Sequence, residues 1–202
     1  MVALRLFVSV TVKSTRLVPN GSWAPGSGVW AMVKGLQSVA TIWAVKSGAT
    51  AVQLFDTWSG ELSLQDYQEF ALPAVQEVIS GITGSVPVIY YTKASQHLLL
   101  AAGRSGANVL SVDWRVDLGE ARGALGPRIA LQGNVDPAAL LGPAETIRQT
   151  TLDTMNSLAG RGHILNLGHG ILPNTPVENA QLFVETGQQA LLQEMRPAAQ
   201  SR

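Results

Sequence analysis

HILNLGHGILP, residues 163–173, passes from an apolar, strand-like segment into a turn where two glycines, Gly168 and Gly170, flank a histidine, His169. Glycine on both sides lifts the Cβ restrictions on the backbone, so the chain can turn sharply and come close to a ligand. An imidazole on a tight loop just past a strand end sits where α/β proteins bind their ligands.

Working back from that turn, the chain keeps a regular rhythm. AVQLF (51–55), VPVIYY (86–91), NVLSVDW (108–114), RIALQ (128–132) and HILNL (163–167) read as buried strands. Amphipathic stretches near 63–80, 95–105, 117–125, 143–160 and 176–194 follow them as helices. Short apolar runs alternating with helices imply parallel βαβ units, because parallel neighbours need a crossover connection. Five such strands fit either an open doubly wound sheet or part of a (β/α)8 barrel. The strand ends favour the barrel. Asp56 and Thr57, Thr92 and Lys93, Asp113, Gln132 with Asn134 and Asp136, and Asn166 with His169 put polar groups at successive carboxyl ends, the barrel active-site pattern. Neither GxGxxG nor GxxxxGK[ST] occurs, which removes the common dinucleotide and phosphate loops. A closed barrel takes about 250 residues, so the expected fold is α/β of the (β/α)8 TIM-barrel family, present as a partial barrel.

The 202 residues are 46% hydrophobic and 14% charged, a globular composition far from that of disordered chains. Its apolar runs are too short to span a membrane. The absence of cysteine excludes disulfides, thiolate metal sites and a cysteine nucleophile, and fits a cytoplasmic protein. Net charge is zero but unevenly spread. Arg5, Lys13, Arg16, Lys34 and Lys46 all precede the first acidic residue, Asp56. Such a start has some transit-peptide character, and the plainer reading is a segment of unusual origin. Residues 4–12 alternate like a half-buried strand, 19–28 are turn and linker chemistry, and 29–46 carry a helical pattern that stops near Gly48. Basic residues elsewhere are scattered without aromatic interleaving, so no nucleic-acid partner is expected.

Each candidate residue has a plain structural reading beside the functional one. Asp56 and Thr57 line a pocket or cap the following turn, whereas Ser63 with Asp66 reads as a helix N-cap. Asp113 binds a ligand or simply ties down loop N–H groups. Gln132 and Asn134 face a site or belong to the QGNVDP turn. His97, at a helix start, and His163, at a strand start, read as structural or exposed. The spacing of His163 and His169 does not match the helical zinc pair, and no metal is expected. His169 is the strongest single candidate.

FDTWSG (55–60), SVDW (111–114), LQGNVDP (131–137) and HILNLGHGILPNTP (163–176) together resemble the uroporphyrinogen decarboxylase family in order and spacing. The resemblance runs from about residue 29 to the C-terminus. It implies a cofactor-free barrel lyase of haem biosynthesis that removes four acetate carboxyls from uroporphyrinogen III as carbon dioxide, giving coproporphyrinogen III. It also implies a cytoplasmic homodimer with no membrane partner. By motif, Thr57 is a substrate-binding hydroxyl and His169 contacts a substrate carboxylate. Asp56, Asp113, Gln132 and Asn134 are pocket-lining candidates.

The chain departs from the family pattern at its start. The family's amino-terminal part supplies an arginine pair, a central aspartate and, further along, a tyrosine. The arginine-rich motif has no counterpart here and no acidic residue before Asp56 could replace the aspartate, so no catalytic residue is assigned. Family glycines after the second strand appear as Ala94 and Ser95. The expected organisation is an atypical leader, 1–28, before a carboxyl-terminal barrel portion, 29–202. The alternatives are a non-catalytic remnant of the enzyme, or a methyltransferase of the same barrel superfamily. The second relies on zinc thiolates, which a cysteine-free chain cannot supply.

Overall fold

The computed structural model describes residues 8–11, 45–46, 48–82, 84, 86–158 and 162–194. They fall into two compact units, Met1–Ser111 and Val112–Arg202. The expected boundary at 28/29, most of the leader and most of the 29–46 helix lie outside the described residues.

In the first unit β1 (Val8–Thr11), β2 (Val52–Asp56) and β3 (Val88–Thr92) lie side by side and parallel. Val8 pairs with Val52 and Val52 with Val88. All five residues of β3 are buried, as expected of a parallel strand covered on both faces. Ser63 caps the helical segment after β2, its Oγ accepting from the Asp66 N–H at 3.1 Å. Within that segment a π turn, Tyr67–Ala71, precedes α1 (Leu72–Ser80). The turn buries Tyr67 and Ala71 together, a departure from regular helix that periodicity did not announce. The helix expected near 95–105 is short, a 3-10 turn Gln96–Leu98 followed by α2 (Leu99–Ala102). Asn108 fastens the approach to β4 (Val109–Val112), its Oδ1 accepting from Val88 N–H at 2.8 Å.

The second unit begins as β4 ends. Asp117 caps α3 (Leu118–Leu125) by accepting the Glu120 N–H at 2.8 Å. β5 (Ala130–Val135) and β6 (His163–Leu167) pair in parallel, Gln132 beside Ile164 and Asn134 beside Asn166. β5 therefore runs past the expected Gln132 and absorbs Asn134. Between them α4 (Ala144–Asn156) buries Ile147, Thr151 and Met155, the i, i+4, i+8 stripe of a core-facing helix. α5 (Val177–Glu194) closes the core with Phe183 against Val135, Leu140, Ile147 and Leu167.

The amino ends of β5 and β6 are tied by one side chain. The Arg122 guanidinium donates to the carbonyls of Gly126 at 3.0 Å, Ile129 at 2.6 Å and Gly162 at 2.9 Å. His163 sits near it, donating through Nε2 to the Gly133 carbonyl at 2.7 Å. Burial first, and the Arg122 charge second, hold that imidazole below its ordinary pKa, against the raising effect of the Gly133 bond. The ring is thus a neutral donor. Replacing Arg122 by Met keeps most of the stem but abandons three carbonyls. Charge-assisted bonds of this kind are each worth about 1.5–3 kcal/mol. With water re-solvating part of the site, Arg122→Met is expected to cost about 2–3 kcal/mol in urea unfolding.

Candidate functional site

At the carboxyl end of β2 the side chains alternate between two faces. Phe55 points with Tyr91, their rings 5.6 Å apart. Asp56 points the other way, toward the helical segment. There its Oδ2 accepts from the Tyr90 hydroxyl at 3.0 Å, and that hydroxyl lies 3.1 Å from the Tyr67 hydroxyl on the π turn. Burial pushes the Tyr67 phenol up to about 12 and the Tyr90 phenol well above its ordinary value, so both stay protonated. Burial also raises Asp56 above the ordinary carboxylate value, only partly offset by Tyr90 and the N–H groups of Trp58 and Ser59. Thr57 follows on the exit turn, half-buried, with Trp58 exposed beside it.

The exit turn of β2 lies directly on the exit of β3. A Cβ at Gly60 would collide with the Lys93 and Ala94 carbonyls, so the glycine of FDTWSG is required by close approach. Ala94 itself has φ of +52°, a left-handed conformation that costs a non-glycine residue about 1–2 kcal/mol. His97 stays local, its Nε2 donating to the Leu62 carbonyl at 2.9 Å.

In the second unit Asp113 follows β4 with its side chain wholly buried. Its Oδ1 accepts the Arg115 N–H at 2.9 Å, and its Oδ2 accepts the Arg115 guanidinium at 3.0 Å. Asn134 Nδ2 donates to the carbonyls of Asp113 at 2.9 Å and Val116 at 2.6 Å, holding the same turn from β5. Gln132, within β5 beside Ile164, is buried. Asp136 ends the run by accepting the Ala138 N–H at 2.9 Å. The structure therefore gathers Asp113 and Asn134 into one hydrogen-bonded turn.

The exit of β6 rests on that turn. A Cβ at Gly168 would strike the Trp114 amide nitrogen and come within 3.0 Å of the Asp113 carbonyl carbon. One at Gly170 would meet nothing within 4 Å. Neither glycine has positive φ. The pair suggested by sequence thus divides: Gly168 is demanded by contact, whereas nothing around Gly170 requires a glycine. The close approach brings His169, exposed, alongside Trp114, their ring centroids 6.4 Å apart and 26° from parallel. On Trp114 lies the Arg115 guanidinium, its Cζ 4.1 Å from the ring centroid, well within cation–π range. Sequence reading passed over Arg115 as one of the scattered bases. Its position beside the SVDW motif was the available signal.

Among the described residues no cluster of His, Asp and Glu is arranged to hold a metal ion, and no helix is long and apolar enough to cross a membrane.

Parallel strands alternating with helical segments, with polar side chains gathered at strand carboxyl ends, define an α/β fold of the TIM-barrel class present in part. A methyltransferase from Methanosarcina mazei superposes with a TM-score of 0.73 at 20% identity, over 81% of this chain and 49% of that one. A B12-independent methionine synthase from Shewanella sp. gives 0.63 at 10% identity, over 84% and 57%. At these identities the likeness concerns the fold alone. The sequence profile of the uroporphyrinogen decarboxylase (URO-D) family matches residues 37–190. The uroporphyrinogen decarboxylase of Gloeobacter violaceus is 49% identical over 148 residues, 72% of this chain and 43% of that protein. The one from Nostoc sp. is 39% identical over 183 residues, 88% and 52%. The chain belongs to the uroporphyrinogen decarboxylase family, and spans about half the length of the curated relatives it matches.

Two outcomes follow from the geometry. Gly168→Ala forces β6 and the Asp113–Trp114 turn apart and is expected to cost about 2–3 kcal/mol in denaturant unfolding. For Asp56, the folded chain holds a proton to higher pH than the unfolded chain does. The stability this gives is full below about 3.8 and is lost as pH rises through the raised value. Asp56→Asn should therefore gain stability over the parent as pH rises from about 3 to about 7, measured by urea unfolding at each pH.

Proposed function

We propose that the chain is part of a uroporphyrinogen decarboxylase that converts uroporphyrinogen III to coproporphyrinogen III by releasing four acetate carboxyls as carbon dioxide. The observation that supports this most is the Gly168–His169 turn at the end of β6, inside the family match and alongside Trp114. In this reading His169 takes a substrate carboxylate and Thr57 offers a hydroxyl to the tetrapyrrole. Asp56, Asp113, Gln132 and Asn134 support the exits that carry them: Asp56 through Tyr90, and Asp113 and Asn134 through the turn beneath Trp114.

The chemistry needs no redox partner. A proton delivered to a pyrrole carbon makes the ring an iminium-like cation, which accepts the electron pair left when the acetate C–C bond breaks. A second proton then replaces carbon dioxide on the resulting methylene, and loss of the first proton from the ring carbon restores the neutral pyrrole. The protein must bind a polyanion and stabilise a cationic ring, which is electrostatic work. His169 serves the first task. The family's arginine pair and central aspartate, which serve both, have no counterpart in this sequence. We therefore propose that the chain alone is inactive, and that the complete enzyme is a cytoplasmic homodimer.

The test pairs the purified chain with the portion of the Gloeobacter violaceus relative that lies outside the matched 148 residues. Coproporphyrinogen is expected only when both are present. Product from the chain alone would refute its inactivity, and no product from either preparation would remove support for the decarboxylase reading. In the active mixture, His169→Ala is expected to lower kcat/KM by about tenfold to a hundredfold, the worth of one charge-assisted carboxylate contact.

A further inference from the structure

The described residues of the second unit place one guanidinium beside His169, and neither fold nor family motif accounts for it. Arg115 is held at two points. Its Nη1 donates to the wholly buried Asp113 at 3.0 Å, and its Cζ lies 4.1 Å above the Trp114 ring. Its side chain is nonetheless 48% exposed. Guanidinium carries five N–H donors in a rigid fork matched to carboxylates, so the bond to Asp113 leaves donors facing solvent. Both mounts restrict rotation, which lowers the entropy lost when those donors engage a ligand.

His169 lies against the same indole, 6.4 Å from it between centroids. The guanidinium carbon and the imidazole centroid can therefore be no farther apart than the two distances combined, about 10.5 Å. Both stand at carboxyl ends of parallel strands, where barrels bind their ligands.

Resting on the decarboxylase reading above, we propose that Arg115 is a substrate-contact residue: it takes a second carboxylate of the tetrapyrrole beside the one bound by His169. A pyrrole bearing acetate and propionate on adjacent carbons presents two carboxylates from one ring. Arg115 and His169, mounted on Trp114, present two donors to meet them. Such a pair favours tetrapyrroles that still carry acetate arms over those that have lost them, so Arg115 also contributes to substrate preference.

A purely structural Arg115, neutralising Asp113, would affect stability without altering that preference. The experiment is a fluorescence titration of the full chain with uroporphyrin III, which keeps all its acetates, and with coproporphyrin III, which has none. Variants Arg115→Gln, Arg115→Lys and His169→Ala are titrated alongside, with thermal unfolding as the control. The parent is expected to bind uroporphyrin more tightly. Arg115→Gln should weaken uroporphyrin binding about tenfold and bring the two affinities together. Arg115→Lys keeps a charge beside Asp113, and so carries the test if the Gln variant unfolds. It should lose about threefold, because an ammonium lacks the fork. Unchanged uroporphyrin affinity in Arg115→Lys, with weakening in His169→Ala, would overturn the role of Arg115 and leave the decarboxylase reading standing. A parent chain that binds neither porphyrin would overturn the role of Arg115, whereas the decarboxylase reading falls only if the reconstituted mixture yields no coproporphyrinogen.

Discussion

The buried Asp113 carboxylate is the interaction on which the carboxyl end of the second unit depends. A charge taken out of water must be fully paired or it destabilises the fold. Asp113 is met by the Arg115 N–H and the Arg115 guanidinium, which fixes the turn after β4. Asn134 then grips the same turn through two main-chain carbonyls. Only a turn so fixed can serve as the surface on which β6 exits, with Gly168 against the Trp114 amide. The order of dependence runs from carboxylate to turn, from turn to glycine, and from glycine to the placement of His169.

The first unit solves a similar problem with neutral groups. Asp56 is met by a phenol, and that phenol by another, both protonated because burial raises their pKa. The π turn matters here, since it is the element that presents Tyr67. A single extra residue per turn re-aims a side chain without breaking the helix, and such turns recur near functional sites. The end of β2 is consequently braced from the helical layer, leaving Phe55 and Tyr91 to face the other way.

Much of this was legible in the sequence, and the limits have physical causes. The βα rhythm was readable because buried parallel strands are short continuous apolar runs: HILNL became β6 with no shift in its ends. β5 ran longer than its apolar segment because strand pairing with β6 carried polar Asn134 into the ladder. The sequence marked Gly168 and Gly170 alike for backbone freedom, and the structure requires glycine only at Gly168. The mechanism is contact rather than φ, and contact depends on which strand lies next door. Gly170 had the same local signature and nothing against it. Asp56 could not be assigned a face from sequence, because its partner Tyr90 is 34 residues away. Arg115 shows the opposite failure: its neighbours Asp113 and Trp114 are adjacent in sequence, yet only the folded turn stacks it on the indole. The motifs that carry the resemblance fall at the carboxyl ends of β2, β4, β5 and β6.

Arg122 has a consequence for how this unit tolerates change. It binds three carbonyls of the main chain at the amino ends of β5 and β6, and carbonyls are the one feature that amino-acid replacement leaves in place. Sequence drift at Ile129 thus leaves its acceptor intact so long as the backbone holds its course, whereas Gly126 and Gly162, at φ of +73° and +62°, are kept as glycine by the left-handed backbone they occupy. Mutational freedom is thereby displaced toward the far ends of the strands, where side chains rather than backbone carry recognition. New ligand preferences can be tried there on a base whose hold does not depend on which residues are being tried.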